Sequence, residues 1–377
     1  MRVFLHAIYG QILFSLYIFW RGYHALPAKK VFRIPFILFF VTELSLYFLG
    51  FFFYKEIPDS LMLPIIMICN TWYIAAAYIT LGLITLDFFR LTNRIWPWYP
   101  YWVKPHWNQI KLFLFCFFIT GVIILMVTGH QNVKNPVVKH VHIHIPKTIK
   151  GRDKLTIVMM SDMHFGETIG KSYAQKYITL CNKQQPDLVV IPGDVIDYES
   201  RFAEKMQIED DLRKINAPLG VFITLGNHEY RANKYAKIRW FQKTGCVLLT
   251  DSVAMPDSAF YLIGRDDAIN SKRASLHTLM KNLDPEKPAI VIDHRPNFIN
   301  EIVMNHADLG LHGHTHNGQF WPNSILQKLR HECSYGYYQK GNSQFYVSSG
   351  LGCAGPPFRI GTKSELVVLH ITFNPIQ

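Results

Sequence analysis

The stretch Asp308-Leu309-Gly310-Leu311-His312-Gly313-His314-Thr315-His316 runs from a short apolar segment straight into a Gly-His-x-His turn. It sets the reading of everything after Lys154. Short apolar runs bounded by Gly, Pro or Asp read as buried strands. His314 and His316 lie two apart in an extended segment, which puts both imidazoles on one side. His312, one residue ahead of the turn, reads as structural. The same grammar recurs at Leu155–Met160, Asp187–Ile191, Leu219–Leu225, Phe260–Gly264, Ala289–Ile292, Phe345–Ser349 and Leu366–Thr372. Helix-compatible stretches such as Ser172–Gln184 and Lys234–Thr244 lie between several of these runs. Alternation of this kind predicts an α/β fold. The last two runs follow each other without a clear helix, which predicts a mixed sheet.

What stands at the ends of those runs points to chemistry. The first is followed by Ser161-Asp162-Met163-His164 and the second by Pro192-Gly193-Asp194. The third leads into Gly226-Asn227-His228-Glu229, and the fifth ends in Asp293-His294. Loops leaving the carboxyl ends of strands in an open α/β sheet line one crevice. Carboxylate, imidazole and amide groups gathered there suit divalent cations. Asp and His are ordinary turn residues, so each pair alone says little. The ordered series is what carries weight.

The chain up to His130 has a different character. It holds 17 of the 27 Phe and 6 of the 8 Trp, with ten Lys or Arg and only four acidic residues. Four apolar segments, about 4–20, 34–54, 61–89 and 110–128, are each long enough to cross a hydrocarbon core of ~30 Å as a helix. The first is the weakest, interrupted by His6, Gln11 and Ser15, and no small-residue cleavage site follows it. Trp96, Trp98, Tyr99, Tyr101, Trp102 and Trp107 crowd the third connection, as an interfacial aromatic belt would. Glu43 within the second segment reads as a buried, hydrogen-bonded carboxyl, because no second ionisable residue there could form a relay. Arg21, Lys29, Lys30 and Arg33 mark the first connection, and Arg90, Arg94, Lys104 and Lys111 the third. Arg2, Lys55, Lys134, Lys139 and Lys147 lie opposite. The positive-inside rule then puts the domain after Lys154 outside the cytoplasm. The expected organisation is transmembrane helices over 1–130, a polar connector over 131–154 and a catalytic domain over 155–377. Within the connector, His140, His142 and His144 alternate with apolar residues and predict one face of a half-buried strand. The six cysteines form no CxxC pair, which excludes a zinc ribbon, although one disulfide among Cys181, Cys246, Cys333 and Cys353 stays open. The basic excess is spread evenly, which argues against a nucleic-acid partner.

The series Asp-x-His at 162–164, Gly-Asp at 193–194, Gly-Asn-His-Glu at 226–229, His294 and Gly-His-x-His at 313–316 resembles the calcineurin-like metallophosphoesterase family over about Leu155 to Thr372. The tail, Ser349–Gly352 and Gly355–Ile360, is similar to its bacterial membrane-associated branch. The multi-helix part ahead of it resembles the transmembrane proteins with a metallophosphoesterase domain. The resemblance implies a four-layer sandwich of two mixed sheets flanked by helices. It also implies two divalent ions (Mn, Fe or Zn), with Asp162, His164 and His316 on the first, Asn227, His294 and His314 on the second, and Asp194 between them. Each Asp194 oxygen would hold a different ion. His228 matches the substrate-facing acid, and Glu229, where many members have Asp, would orient it. Arg359, Arg265 and Arg295 lie near motif turns and could clamp phosphate, Arg359 above all because it falls in the matching tail. The segment Gly193–Glu199 lacks the Asp-Arg-Gly ending of Ser/Thr protein phosphatases. The expected activity is metal-dependent hydrolysis of a phosphomonoester, phosphodiester or pyrophosphate bond by a hydroxide held between the ions. The substrate would be a phosphorylated small molecule or lipid, met at a membrane. One alternative is a lipid-linked pyrophosphatase of the UDP-2,3-diacylglucosamine hydrolase type. The other is a catalytically idle membrane scaffold or sensor.

Overall fold

The computed structural model describes residues 2–54, 56–149 and 151–375. Lys55, one of the charges in the orientation count, and residues 376–377 of the expected catalytic domain lie outside them. The chain divides into two compact units, Met1–Thr128 and Gly129–Gln377.

The first unit is helical: α1 (Arg2–Ala25), α2 (Lys30–Phe52), α3 (Asp59–Ile95) and most of α4 (Trp107–Lys134). Three of these, α2, α3 and α4, are long and apolar enough to cross a membrane, with mean hydropathies of 1.9, 1.6 and 2.7. Four were expected, and α1 is the one that does not reach that standard. Two of the polar groups that weaken it, Gln11 and Ser15, have partners inside the unit. Gln11 and Ser15 both hydrogen-bond the Glu43 carboxyl, and Trp72 donates to Ser15 at 3.0 Å. Buried polar groups are tolerated when paired in this way, which accounts for Glu43 without any relay. At 37 residues, α3 is about 55 Å long by its rise per residue, well beyond a hydrocarbon core.

The second unit carries twelve strands among the described residues. They are β1 (Val137–Thr148), β2 (Lys154–Met159), β3 (Leu188–Pro192), β4 (Val221–Thr224), β5 (Val247–Leu248), β6 (Ser252–Ala254), β7 (Tyr261–Gly264), β8 (Ala289–Ile292), β9 (Leu309–His312), β10 (Gly336–Lys340), β11 (Ser343–Val347) and β12 (Glu365–Asn374). They form two six-stranded sheets, ordered β1-β12-β2-β3-β4-β5 and β10-β11-β9-β8-β7-β6. Both are mixed. In the first, β12 is parallel to β1 and antiparallel to β2. In the second, β7, β8, β9 and β11 are parallel, with β6 and β10 antiparallel at the edges.

Alternate residues of single strands build separate layers, as the two-residue period requires. Ile157, Met159 and Val190 of the first sheet meet Leu262, Ile290, Ile292 and Leu311 of the second in one core. Val158, Val189 and Ile191 point the other way, against Tyr177 and Cys181 of α5 (Lys171–Lys183), Ala203 of α6 (Ser200–Lys205), Ile208 of α7 (Ile208–Leu212) and Trp240 of α8 (Lys234–Phe241). On the far side, Ile263, Val291 and Val347 pack on Leu276 of α9 (Leu276–Met280) and on Ile299 and Ile302 of α10 (Ile299–Met304). The order is helices, sheet, sheet, helices. A final helix, α11 (Asn323–Arg330), buries none of its residues.

The eight expected runs correspond to β2, β3, β4, β7, β8, β9, β11 and β12, with ends differing by no more than two residues. Two features add detail to the expectations. The segment 131–154 holds the last turns of α4 and then β1, an edge strand with Ile143 and Ile145 buried and His140, His142 and His144 exposed, as the alternation predicts. The expected mixing is present in both sheets, and the last two runs fall in different ones: β11 pairs with β9 and β12 lies between β1 and β2. All six cysteines are free.

Candidate metal centre

Backbone hydrogen bonds lace the loop after β2 to that after β3, and the loop after β8 to that after β9. The amide of Asp162 donates to Gly193 O at 3.2 Å, that of His164 to Asp194 O at 3.0 Å, and that of Gly313 to His294 O at 2.9 Å. This approach is so close that side chains are excluded. Gly193 has φ +74°, and a Cβ there would lie 2.7 Å from Gly226 and 2.8 Å from His294 Nδ1. A Cβ on Gly313 would overlap Ser161 and Asp162. Five non-glycine residues of the centre sit in the left-handed region: Asp162 (53°), His164 (50°), Asp194 (51°), His314 (72°) and His316 (51°). Such backbones cost about 1–3 kcal/mol each and persist where surrounding structure imposes them, typically at functional sites.

Three groups of side chains converge: Asp162, His164 and His316; His164, Asp194 and His228; Asp194, His294 and His314. In the first, His164 Nε2 and His316 Nε2 are 3.0 Å apart, and Asp162 Oδ1 lies 3.6 Å from His316 Nε2 and 4.0 Å from His164 Nε2. In the third, His294 Nε2 is 3.2 Å from Asp194 Oδ2 and 3.2 Å from Asn227 Oδ1. Asp194 joins the groups, because the same Oδ2 is 3.7 Å from His164 Nε2. Its other oxygen accepts from the His228 amide at 2.7 Å. Ligand bonds of ~2.0–2.2 Å place the donors of one ion roughly 3–3.5 Å apart, so the spacing suits two ions. A single Asp194 oxygen faces both groups, while the other accepts a backbone N–H.

The outer nitrogens fix the ring orientations. His294 Nδ1 pairs with Pro192 O at 2.7 Å and His164 Nδ1 with Asp197 Oδ1 at 3.2 Å, which turns each Nε2 inward. Orientation of this kind characterises imidazoles that ligate metals.

The protein's own charges point the same way. Burial works against an ionised Asp194, yet His294 and His228 hold its carboxyl well below the usual range. Burial also opposes a charged His294, but Asp194 and Asp162 draw it up to about 10. The buried carboxylates thus demand positive charge, a demand that divalent ions also meet. His314 is pushed down to about 3 by burial and by His294. His316 is driven well below its ordinary value by burial, His164 and Arg359. Both are neutral, as a ligand must be.

All seven expected ligands and His228 are therefore brought together, seven of the eight buried and His314 partly so. The expected roles around them are not all kept. Glu229 does not touch the His228 ring. Its carboxylate accepts backbone N–H groups from Asp194, Val195, Ile196 and Gly226 at 2.8–3.0 Å, clamping two loops. The group that orients His228 is Asp197, whose carbonyl and Oδ1 lie 2.7 and 2.8 Å from His228 Nδ1. Sequence reading passed over Asp197, although it stands three residues after Asp194 in the same turn. Burial would raise the Asp197 carboxyl, but hydrogen bonds from His164 and His228 hold it far below the usual range. Burial opposes a charged His228, while Asp194 and Asp197 raise its pKa above the ordinary value.

The three arginines near the motif turns have partners within the protein. Arg265 is buried, bonded to Glu301 at 3.0 Å and Ala274 O at 3.0 Å. Arg359, fully buried, donates to the carbonyls of Ser349, Gly350 and Gly352 and lies 3.2 Å from His316 Nδ1. Arg295 holds Asp267 through two bonds of 2.9 Å. These guanidinium groups serve the protein's own acceptors rather than an incoming phosphate. His312 is structural as expected, buried with Nδ1 2.7 Å from Asp293 O.

The model of the calcineurin-like phosphoesterase family matches residues 155–318. The chain is 31% identical to an uncharacterized metallophosphoesterase of Campylobacter jejuni, over 67% of this chain and 68% of that one. It is 27% identical to an uncharacterized metallophosphoesterase of Helicobacter pylori over 92% of both chains. It is 26% identical to the transmembrane protein with metallophosphoesterase domain of Bos taurus, over 67% of this chain and 61% of that protein.

Proposed function

We propose, from the premise that this chain belongs to the calcineurin-like metallophosphoesterase family, that it is a membrane-anchored hydrolase cleaving phosphoester bonds with two divalent ions. The observation that carries this reading is Asp194 Oδ2, which faces His164 and His294 together. Asp162, His164 and His316 would hold one ion and Asn227, His294 and His314 the other, with Asp194 shared. Ions so held supply a water-derived nucleophile near neutral pH and offset charge on the phosphoryl oxygens. His228 would carry a proton to the departing oxygen. Its ring is held by Asp197, and its charged form is favoured by Asp194 and Asp197. A positioned acid of this kind contributes about 10²–10⁴ in rate.

Elemental analysis of the purified full chain is expected to find about two transition-metal ions per molecule. Chelation is expected to abolish hydrolysis of p-nitrophenyl phosphate and of bis-p-nitrophenyl phosphate, and Mn²⁺ to restore it. Undiminished turnover after exhaustive chelation sinks the two-ion reading.

The membrane part of the proposal has α1 completing four spans and the hydrolytic unit outside the cytoplasm. Three apolar helices support anchoring, and the Lys and Arg distribution supports the orientation. Fusions after residue 377 test it. Active alkaline phosphatase with dark green fluorescent protein is expected, and the reverse pattern overturns the orientation.

A further inference from the structure

The helix α11 has its apolar side on the outside. Ile325, Leu326 and Leu329 are 51%, 47% and 79% exposed, and at 100° per residue they share an arc of about 100°. Lys328 and Arg330 flank that arc, one on each side, and both are exposed. Just ahead of the helix, Trp321 is half exposed. An eight-residue helix with three large apolar side chains in solvent gains nothing from its own fold for displaying them.

The segment leading into α11 is anchored close to where α4 ends. Gly129–Lys134, the last turns of α4, belong to the second unit. Gly129 O accepts from the Arg359 amide at 3.0 Å, and Asn132 Nδ2 donates to Arg359 O at 3.1 Å. The next residue, Ile360, bonds through its amide to Gln319 O at 2.9 Å and through its carbonyl to the Trp321 amide at 2.8 Å. Gly129 and Trp321 thus flank one extended segment, about 10 Å apart at two strand spacings. The apolar run of α4 stops immediately before Gly129. Chain connectivity alone therefore tethers the segment that leads into α11 to the end of the apolar run that would cross a bilayer.

We infer that α11 is a membrane-surface helix, seated with Ile325, Leu326 and Leu329 among the acyl chains and with Lys328 and Arg330 among anionic phospholipid headgroups. Basic residues flanking an apolar stripe, with an aromatic at its edge, suit that interface. The helix begins just after the His316–Gly318 turn and ends before His331, whose ring is 6.5 Å from that of His314. Seating α11 would therefore hold one wall of the metal centre at the lipid surface. The inference needs no catalytic activity to be tested.

The test uses the full chain in liposomes of phosphatidylcholine and phosphatidylglycerol. Cys116→Ala and Cys246→Ala remove the thiols that are not buried. Nitroxide labels are placed singly by Ile325→Cys, Leu329→Cys, Gln327→Cys and, as a remote exposed control, Lys243→Cys. Collision with oxygen and with a water-soluble nickel chelate is then read by power saturation. The ratio of oxygen to nickel accessibility is expected to be several-fold higher at 325 and 329 than at 327 and 243, following the helical period. Equal ratios at all four positions overturn the inference, since α11 then lies in water. Shielding of 325 and 329 from both reagents overturns it in favour of a protein partner. Spin–spin broadening that vanishes on dilution with unlabelled chain overturns it in favour of a second copy.

Discussion

Two sets of imidazoles in the hydrolytic unit are equally crowded and chemically unlike. On the solvent face where β1 and β12 run side by side, His140 and His370 stack at 5.3 Å with nitrogens 3.0 Å apart, and His142 lies 5.0 Å from His370. In the strand-end loops, His164 and His316 also bring nitrogens to 3.0 Å. Proximity is the same, so proximity does not make a metal centre. The loop imidazoles are buried, have Asp162 and Asp194 within 4.0 Å, and are turned by Pro192 O and Asp197. Those on the sheet face bond to each other and to Thr372. Burial and the neighbouring His142 and His140 lower the pKa of His370. Negative charge and fixed tautomers, rather than imidazole density, separate the two.

The largest expected effect follows from removing the shared charge. Asp194→Asn is expected to take phosphoester hydrolysis to the uncatalysed rate and to cut bound metal toward half, read by elemental analysis and turnover on the same sample. Full metal with full turnover would make Asp194 no different from the sheet-face residues.

His228→Ala is expected to keep both ions but lose about 10²–10⁴ in rate on an alkyl phosphoester, where the leaving group needs a proton. On p-nitrophenyl phosphate the loss should be much smaller. Equal losses on the two substrates remove His228 from the acid role.

A smaller change, about 10–100-fold, is expected for Asp197→Asn, the size usual for a residue that orients a ligand or acid. The pH profile discriminates further. Asp194 and Asp197 raise the His228 pKa, so the acid stays protonated above the ordinary range and activity falls as pH rises through that raised value. Weakening the Asp197 contribution should move the alkaline limb to lower pH. An unmoved limb leaves Asp197 a purely structural residue.

Smallest of all, His142→Ala combined with His370→Ala should leave turnover unchanged and shift stability by no more than about 0.5 kcal/mol, as for surface substitutions generally. Loss of activity in that variant would erase the distinction between the two sets.

The convergence of the candidate ligands at the strand ends is legible because each is a local event: a short apolar run, then a carboxylate or imidazole. Asp197 and Glu229 were visible as residues but not in their roles, which depend on how the 193–197 and 226–229 loops lie side by side. Glu229 is one residue from His228 in sequence, yet its carboxylate reaches the amides of the neighbouring loop instead. Arg359 illustrates the opposite error. Its place in a matching tail suggested substrate contact, whereas complete burial among carbonyls makes it a fastening. The strand β1 announced itself through alternation, but its partner β12 is over two hundred residues away, a pairing that periodicity cannot encode. The short strands β5, β6 and β10 carry too few apolar residues to register.

The place of β12 has a consequence for how the molecule is made. This strand lies between β1 and β2, which are neighbours along the chain but not in the sheet. Every other strand leaves the ribosome before it. Until Glu365–Asn374 emerge, β1 has no partner in the sheet and β2 presents an open edge, a template for mispairing with other chains. The sheet therefore closes last, by insertion of a late segment between two early ones. Nascent chains halted before residue 365 are expected to remain protease-sensitive throughout the hydrolytic unit, even though every residue of the candidate metal centre has already been synthesised.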